Sequence, residues 1–200
     1  LKLFLSSFWI GTGQRPEFSQ ENQTITSWTS PGNKYNSNFI NASPKIQTKL
    51  KLNWEFEVNS DNNYSSFPIV SESNDMYFLH NNNLIKLNYE SGNIEWNFKI
   101  EGDVNPHYLS YNSSLIFVLV TNPSPALIAY SSDTGEKIYS INLHKRHSIA
   151  EFNSNAGFIN DNGIIKAFEI YNGKLLWERN LNAALSTPLI VTDKRLLYQK

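Results

Sequence analysis

The chain has 200 residues, a formal charge of −1 and no cysteine. It is long enough to close a hydrophobic core, it offers no basic field for nucleic acid, and it excludes disulfides, cysteine-ligated zinc, iron–sulfur clusters and a thiol nucleophile. Twelve Phe, ten Tyr and five Trp point to strands rather than helices.

In chain order, residues 1–13 ("LKLFLSSFWIGTG") place Leu3, Phe4, Leu5, Phe8, Trp9 and Ile10 after a single Lys2. This reads as the remnant of a signal-peptide apolar region or as an apolar tether packed on the domain. No stretch reaches the roughly 18 apolar residues of a transmembrane helix. Residues 14–46 are rich in Asn, Ser, Thr and Pro, without sustained periodicity, and form an irregular leader. Asn22, Asn41, Asn63 and Asn112 each begin a glycosylation sequon, which matters only in a secreted eukaryotic chain.

Residues 47–200 divide into units. Short alternating runs such as "IEWNFKI", "LIFVLV" and "IIKAFEI" are interrupted by Asn, Gly and Pro, which disfavours helical repeats. The aromatic residues Trp54, Trp96, Tyr139 and Trp177 are spaced 42, 43 and 38 residues apart. The turn glycines Gly92, Gly135 and Gly173 are spaced 43 and 38 apart. Two independent markers therefore keep one period of about 40, that of a four-stranded antiparallel propeller blade. In "ESGN" and "DTGE" the glycine supplies a positive φ, and Ser, Thr, Asn or Asp bonds the nearby backbone. In the strand that follows, Ile94, Trp96 and Phe98 share one face, and the aromatic ring fills the gap between stacked sheets. The four anchors are expected at equivalent, mostly buried sites between neighbouring sheets.

The segments "LIKLNYESGNIEW", "LIAYSSDTGEKIY" and "IKAFEIYNGKLLW" resemble the quinoprotein-type (PQQ-like) β-propeller repeat, with "SSFPIV" and "LSTPLIV" as its proline-bearing strand around Pro68 and Pro188. The third unit departs from the pattern, with Tyr139 for Trp and no proline, and is expected to be irregular. The fold class expected is all-β, a partial propeller of about three and a half blades. A closed ring of this kind needs about six to eight blades, so the remaining blades are expected from a longer chain or a second copy.

Chemistry is harder to find. His107, the segment "LHKRHSIAEF" and the trio Asn62, Asn63 and Tyr64 fall in loops flanking inner strands, where a propeller binds its partners. His144 and His147 lie three apart in a loop with Lys145 and Arg146 between them, a setting that opposes a cation. Asp61, Asp133 and Asp161 sit in turns without the spacing of a calcium loop. Glu55, Glu57, Glu90 and Glu95 alternate with apolar residues, as outward-facing strand positions do. Neither a nucleophile elbow nor a phosphate loop is present, "GTGQRP" at Gly11 having the wrong spacing. No catalytic, cofactor-binding or metal-ligating residue is therefore assigned, and no cofactor is expected.

The resemblance implies two kinds of protein. One is an exported, non-catalytic scaffold or binding module for a protein or cell-envelope component, the reading expected here. The alternative is a fragment of a PQQ-dependent dehydrogenase, or a carbohydrate-active propeller enzyme. Dehydrogenases of this type use a vicinal disulfide, which a chain without cysteine does not form.

Overall fold

The computed structural model describes residues 53–58, 65–71, 73–144, 149–182, 189–191 and 195–198. The N-terminal tether, the leader, Asn62, Asn63, Tyr64, Lys145, Arg146, His147 and Pro188 lie outside them.

Every regular element among the described residues is a β-strand. The first sheet is β1 (Ile69–Val70), β2 (Asp75–His80), β3 (Asn83–Asn88) and β4 (Ile94–Lys99). The second is β5 (Asp103–Asn112), β6 (Leu115–Asn122), β7 (Ala126–Ser131) and β8 (Lys137–Asn142). The third is β9 (Ile149–Phe152), β10 (Ala156–Asp161), β11 (Ile164–Glu169) and β12 (Leu175–Asn180). β13 (Ile190–Val191) and β14 (Leu196–Leu197) form a two-stranded hairpin. In each four-stranded sheet the strands lie in chain order and pair antiparallel. The third sheet is as complete as the other two, so the expected irregularity of that unit is not found.

Local chemistry sets the hairpins. The β2–β3 and β10–β11 turns place Asn81 and Asn82 (φ 48° and 61°) and Asn162 and Gly163 (58° and 83°) in the left-handed region. Two consecutive positive φ values match the strand twist, and Asn and Gly tolerate them best. The turn between the third and fourth strands is longer and repeats closely. Gly92, Gly135 and Gly173 (φ 71°, 74° and 71°) donate to the carbonyls of Asn88, Ser131 and Glu169 at 2.8, 2.9 and 2.9 Å. Asn88 Oδ1 accepts from the backbone of Glu90 and Ser91, and Ser131 Oγ from that of Asp133 and Thr134.

Cross-strand pairing lines up one row of residues in each sheet. The rows are Ile69, Tyr77, Lys86, Trp96; then Ser110, Phe117, Ala129, Tyr139; then Glu151, Phe158, Ala167, Trp177. Each row faces the next unit. Ile69, Tyr77 and Trp96 share a core with Leu109, Ile116 and Val118 of the second sheet. Phe117, Ala129 and Tyr139 share another with Ala150, Ile159 and Phe168 of the third. On the opposite face of the first sheet, Met76, Phe78, Ile85 and Leu87 are covered by Trp54, Phe56 and Val58. Segment 53–58 thus presents its side chains with the two-residue period of a strand.

The anchor residues meet the turn glycines of the following sheet. A Cβ on Gly92 would lie 2.6 Å from the Trp54 ring, and one on Gly173 would overlap the Tyr139 ring. At Gly135 it is Phe98 that lies beneath, at 2.6 Å, with Trp96 at 3.4 Å. Trp54 Nε1 donates to the Tyr89 carbonyl at 2.7 Å, and the Tyr139 hydroxyl donates to the equivalent carbonyl of Ile170. The third such carbonyl, that of Ser132, accepts the Tyr77 hydroxyl at 3.4 Å, and Trp96 Nε1 is buried without a partner. Three anchors, Trp54, Trp96 and Tyr139, are half-buried, whereas Trp177 is 42% exposed. The expectation of four mostly buried anchors is corrected accordingly: no described turn covers Trp177.

Four variants check this packing, all by urea unfolding of the full-length polypeptide. Gly135→Ala forces a side chain into a left-handed position and against Phe98, and is expected to cost about 2–4 kcal/mol. Trp96→Ala is expected to cost about 3–5 kcal/mol. Trp96→Phe, which deletes an unpaired donor, should lie within about 1 kcal/mol of the parent, and Trp54→Phe should lose about 1 kcal/mol with its bond. A Trp96→Phe loss equal to that of Trp96→Ala would contradict the orphan-donor assignment.

Candidate functional site

The meander separates two ends of the sheets. The glycine turns lie at one end with the β1–β2 and β5–β6 hairpins. At the other end β4 finishes beside the start of β3 (Lys99 opposite Asn83), and β12 beside the start of β11 (Asn180 opposite Ile164). The connections into the inner strands β5, β9 and β13 therefore gather with the β2–β3 and β10–β11 turns. Of the candidates named from the sequence, His144 lies at this connection end; His107 lies within β5 and not in the loop expected for it, and Asn62, Asn63, Tyr64 and residues 145–148 lie outside the described residues.

Three equivalent bonds tie each connection to its own sheet. Ile100, Leu143 and Leu181 are all buried and donate to the carbonyls of Asn82, Pro125 and Gly163 at 2.7, 2.9 and 2.9 Å. Polar side chains reinforce them. Asn82 Oδ1 accepts from the Val104 amide at 3.2 Å. His80 Nδ1 lies 2.7 Å from Ser65 Oγ, and Ser66 Oγ accepts from the Leu79 amide at 2.8 Å.

Asp161 holds the most connected position. Its carboxylate is fully buried and meets Lys166 Nζ at 2.8 Å, the His144 amide at 2.8 Å and His144 Nδ1 at 2.6 Å. Burial pushes the Asp161 carboxyl up, but Lys166 and the two His144 bonds outweigh it and hold it below the usual carboxylate range. The start of the "LHKRHS" loop is thereby fixed to the β10–β11 turn. His107 is exposed, with its amide bonded to Asn105 Oδ1 at 2.9 Å.

A different kind of carboxylate lies on inner strand β9. Glu151 occupies the row position of Ile69 and Ser110, both buried in the seams between sheets. Its own seam is the one between β9 and β13. Burial pushes the Glu151 carboxyl up to about 7. The neighbouring Tyr108 hydroxyl donates to the Ala150 carbonyl at 2.9 Å, and burial followed by the Glu151 charge pushes it well above its ordinary value. A half-buried carboxyl in this range exchanges a proton near neutrality, which a solvated glutamate does not.

Among the described residues no three His, Cys, Asp or Glu side chains converge as metal ligands. The two lysines held inside sheets are both taken, Lys86 by Asp75 (3.3 Å) and Glu95 (2.9 Å), and Lys166 by Asp161. The described residues therefore do not fit an anionic quinone with its calcium ion. No helix among them is long and apolar enough to cross a membrane.

Comparison with solved structures bears on the architecture. BamB from Moraxella catarrhalis superposes with a TM-score of 0.58 at 15% identity, over 74% of this chain and 46% of that one. The quinohemoprotein alcohol dehydrogenase ADHIIG from Pseudomonas putida HK5 gives 0.56 at 18% identity, over 76% of this chain and 26% of that one. The fold is a PQQ-like β-propeller repeat. The PQQ-like chain spans about half the length of the BamB structure and about a quarter of the dehydrogenase. No protein-family model and no curated protein matches the sequence.

The PQQ-like blades bring His144 to Asp161 and leave His107 on the surface apart from them. Sequence reading singled out Asp161 only as a turn residue; its burial follows from a place at the end of β10 that blade 1 fills with His80. Glu151 fell within the candidate segment "LHKRHSIAEF" but was not singled out. The available signal was a single carboxylate inside the run Ile149, Ala150, Glu151, Phe152, where the alternation calls for an inward residue.

The Glu151 environment predicts a pH effect. Its folded value lies above the unfolded one, so the associated stability is present below about 4.5 and is lost as pH rises through about 7. Glu151→Gln should match the parent near pH 4 and exceed its stability by about 1–3 kcal/mol at pH 8. Parallel pH profiles for the two proteins would place Glu151 in solvent.

Proposed function

We propose that this PQQ-like propeller segment serves as a non-catalytic scaffold, exported and engaging a protein or cell-envelope component through its connection end. The observation that supports this most is the use of polar side chains at that end. Asp161, Lys166 and His144 satisfy one another, as His80 satisfies Ser65, and Asn82 satisfies a backbone amide. Such bonds hold connections in one shape, which suits a preformed binding surface that loses little entropy on association. The apolar residues 3–10 support export, and likeness to the BamB structure extends to the fold of such a module.

A second reading is favoured by Glu151, whose carboxyl near 7 on an inner strand has the protonation behaviour of a general acid or base. It belongs with the enzyme class, and the alcohol dehydrogenase superposition shares the fold with it.

Thermal unfolding of the full-length protein with micromolar pyrroloquinoline quinone and calcium separates the scaffold from a quinone enzyme. A ligand that binds only the folded state raises its stability. The scaffold reading expects an unchanged Tm, and a rise of several degrees overturns it.

A further inference from the structure

Asparagine precedes glycine at two places in the chain, Asn162-Gly163 and Asn172-Gly173. Such a pair is chemically labile, because a glycine nitrogen reaches the asparagine side-chain carbonyl with no Cβ in the way. Both asparagines are exposed, so access does not separate them, but their bonds do. Asn172 is tied through both atoms of its amide: Nδ2 donates to Glu169 Oε2 at 2.7 Å, and Oδ1 accepts from the Lys174 amide at 2.8 Å. The Gly173 amide donates to the Glu169 carbonyl at 2.9 Å, with the Tyr139 ring lying against the glycine. Reaction at this pair gives up all of these contacts. The Asn162 side chain is tied to no group among the described residues. The Gly163 amide donates only to a side chain, Asn160 Oδ1, at 3.1 Å.

We propose that Asn162 is a deamidation site of the folded protein, and that its conversion to isoaspartate loosens the connection end. The Gly163 nitrogen bonds to Asn162 Cγ as the Cγ–Nδ2 bond breaks. The side-chain amide leaves as ammonia, carrying the proton that the Gly163 nitrogen gives up. Water then opens the cyclic imide at one of its two carbonyls. One product is aspartate; the other is isoaspartate, whose backbone runs through the former side chain. Aspartate keeps the length of the turn and adds a charge at an exposed position. Isoaspartate lengthens by one carbon a two-residue turn whose flanking residues, Asp161 and Ile164, are paired. Two ties of the connection end start from that turn. Asp161 accepts from the His144 amide at 2.8 Å, and the Gly163 carbonyl accepts from the Leu181 amide at 2.9 Å.

Ageing the full-length protein in mildly alkaline buffer, followed by peptide mapping with mass spectrometry, reads both pairs at once. The same protein unfolded in urea supplies the intrinsic rate of each. Folding should slow Asn172 several-fold more than Asn162, so that aspartate and isoaspartate accumulate first at 162. Equal protection of the two, faster conversion at 172, or no conversion at 162 while the unfolded protein converts fully overturns the site. Amide hydrogen exchange of the aged protein reads the consequence. The His144 and Leu181 amides should exchange faster, and that of Ile100, which makes the equivalent bond in the first sheet, should not change. Asn162→Gly lacks the reactive amide and keeps a residue suited to positive φ, so it should age without that change. Isoaspartate at 162 with unaltered exchange at Leu181, or the same acceleration in aged Asn162→Gly, overturns the link to the connection end.

Discussion

An aromatic ring laid against a bare backbone is the contact on which this architecture depends. Each sheet presents a row of residues to its neighbour, and the row ends in Trp96, Tyr139 or Trp177 near the outer edge. The ring is flat, and a flat ring packs closest against a residue without a side chain. Gly92 and Gly173 meet that need directly, because a Cβ there would penetrate the indole of Trp54 or the phenol of Tyr139. The same glycines need positive φ to close the turn onto the carbonyls of Asn88 and Glu169. One residue type thus answers two constraints, local and inter-sheet, which keeps the period of glycines equal to that of anchors.

The second seam departs from the pattern in an instructive way. Phe98, two residues after Trp96, takes the place beneath Gly135. Trp96 sits behind it, 5.4 Å from the Phe98 ring and 5.9 Å from Tyr77, and its donor is left unpaired. Tyr77 donates to the Ser132 carbonyl, the counterpart of the group that Trp54 uses in the preceding seam. Aromatic area thus decides this seam, and hydrogen bonding is satisfied only where the ring happens to reach: burying a Trp outweighs one lost neutral bond by a few kcal/mol.

Fold and period were legible because they rest on features every blade repeats: a glycine where φ is positive, an aromatic ring above it, and alternation between them. The row position nearest the axis was not, because it differs from blade to blade. Ile69, Ser110 and Glu151 share that position and no chemistry. Sequence alternation marks it as inward-facing but does not say what the facing sheet offers, and only a neighbouring sheet turns an ordinary glutamate into one that titrates near 7. Asp161 was hidden for the same reason. Its partners Lys166 and His144 lie 5 and 17 residues away, on another strand and on the connection before β9. The exposure of Trp177 was equally out of reach, since a ring's burial depends on the sheet beside it.

The two carboxylates also differ in what they do for the fold. Asp161 is buried with a cation and two further donors, and removing any partner would strand a charge in the protein interior. Its contribution is therefore architectural: it fixes where the connection into β9 begins. Glu151 lies on β9 itself and has burial as the cause of its shift. An inward position that elsewhere holds a fully buried isoleucine stabilises the seam through apolar area, about 1.5–3 kcal/mol for such a side chain. Glutamate gives up most of that gain and adds a desolvation cost once ionised. The inner edge of the third sheet thus gains less from Glu151 than the first sheet gains from Ile69.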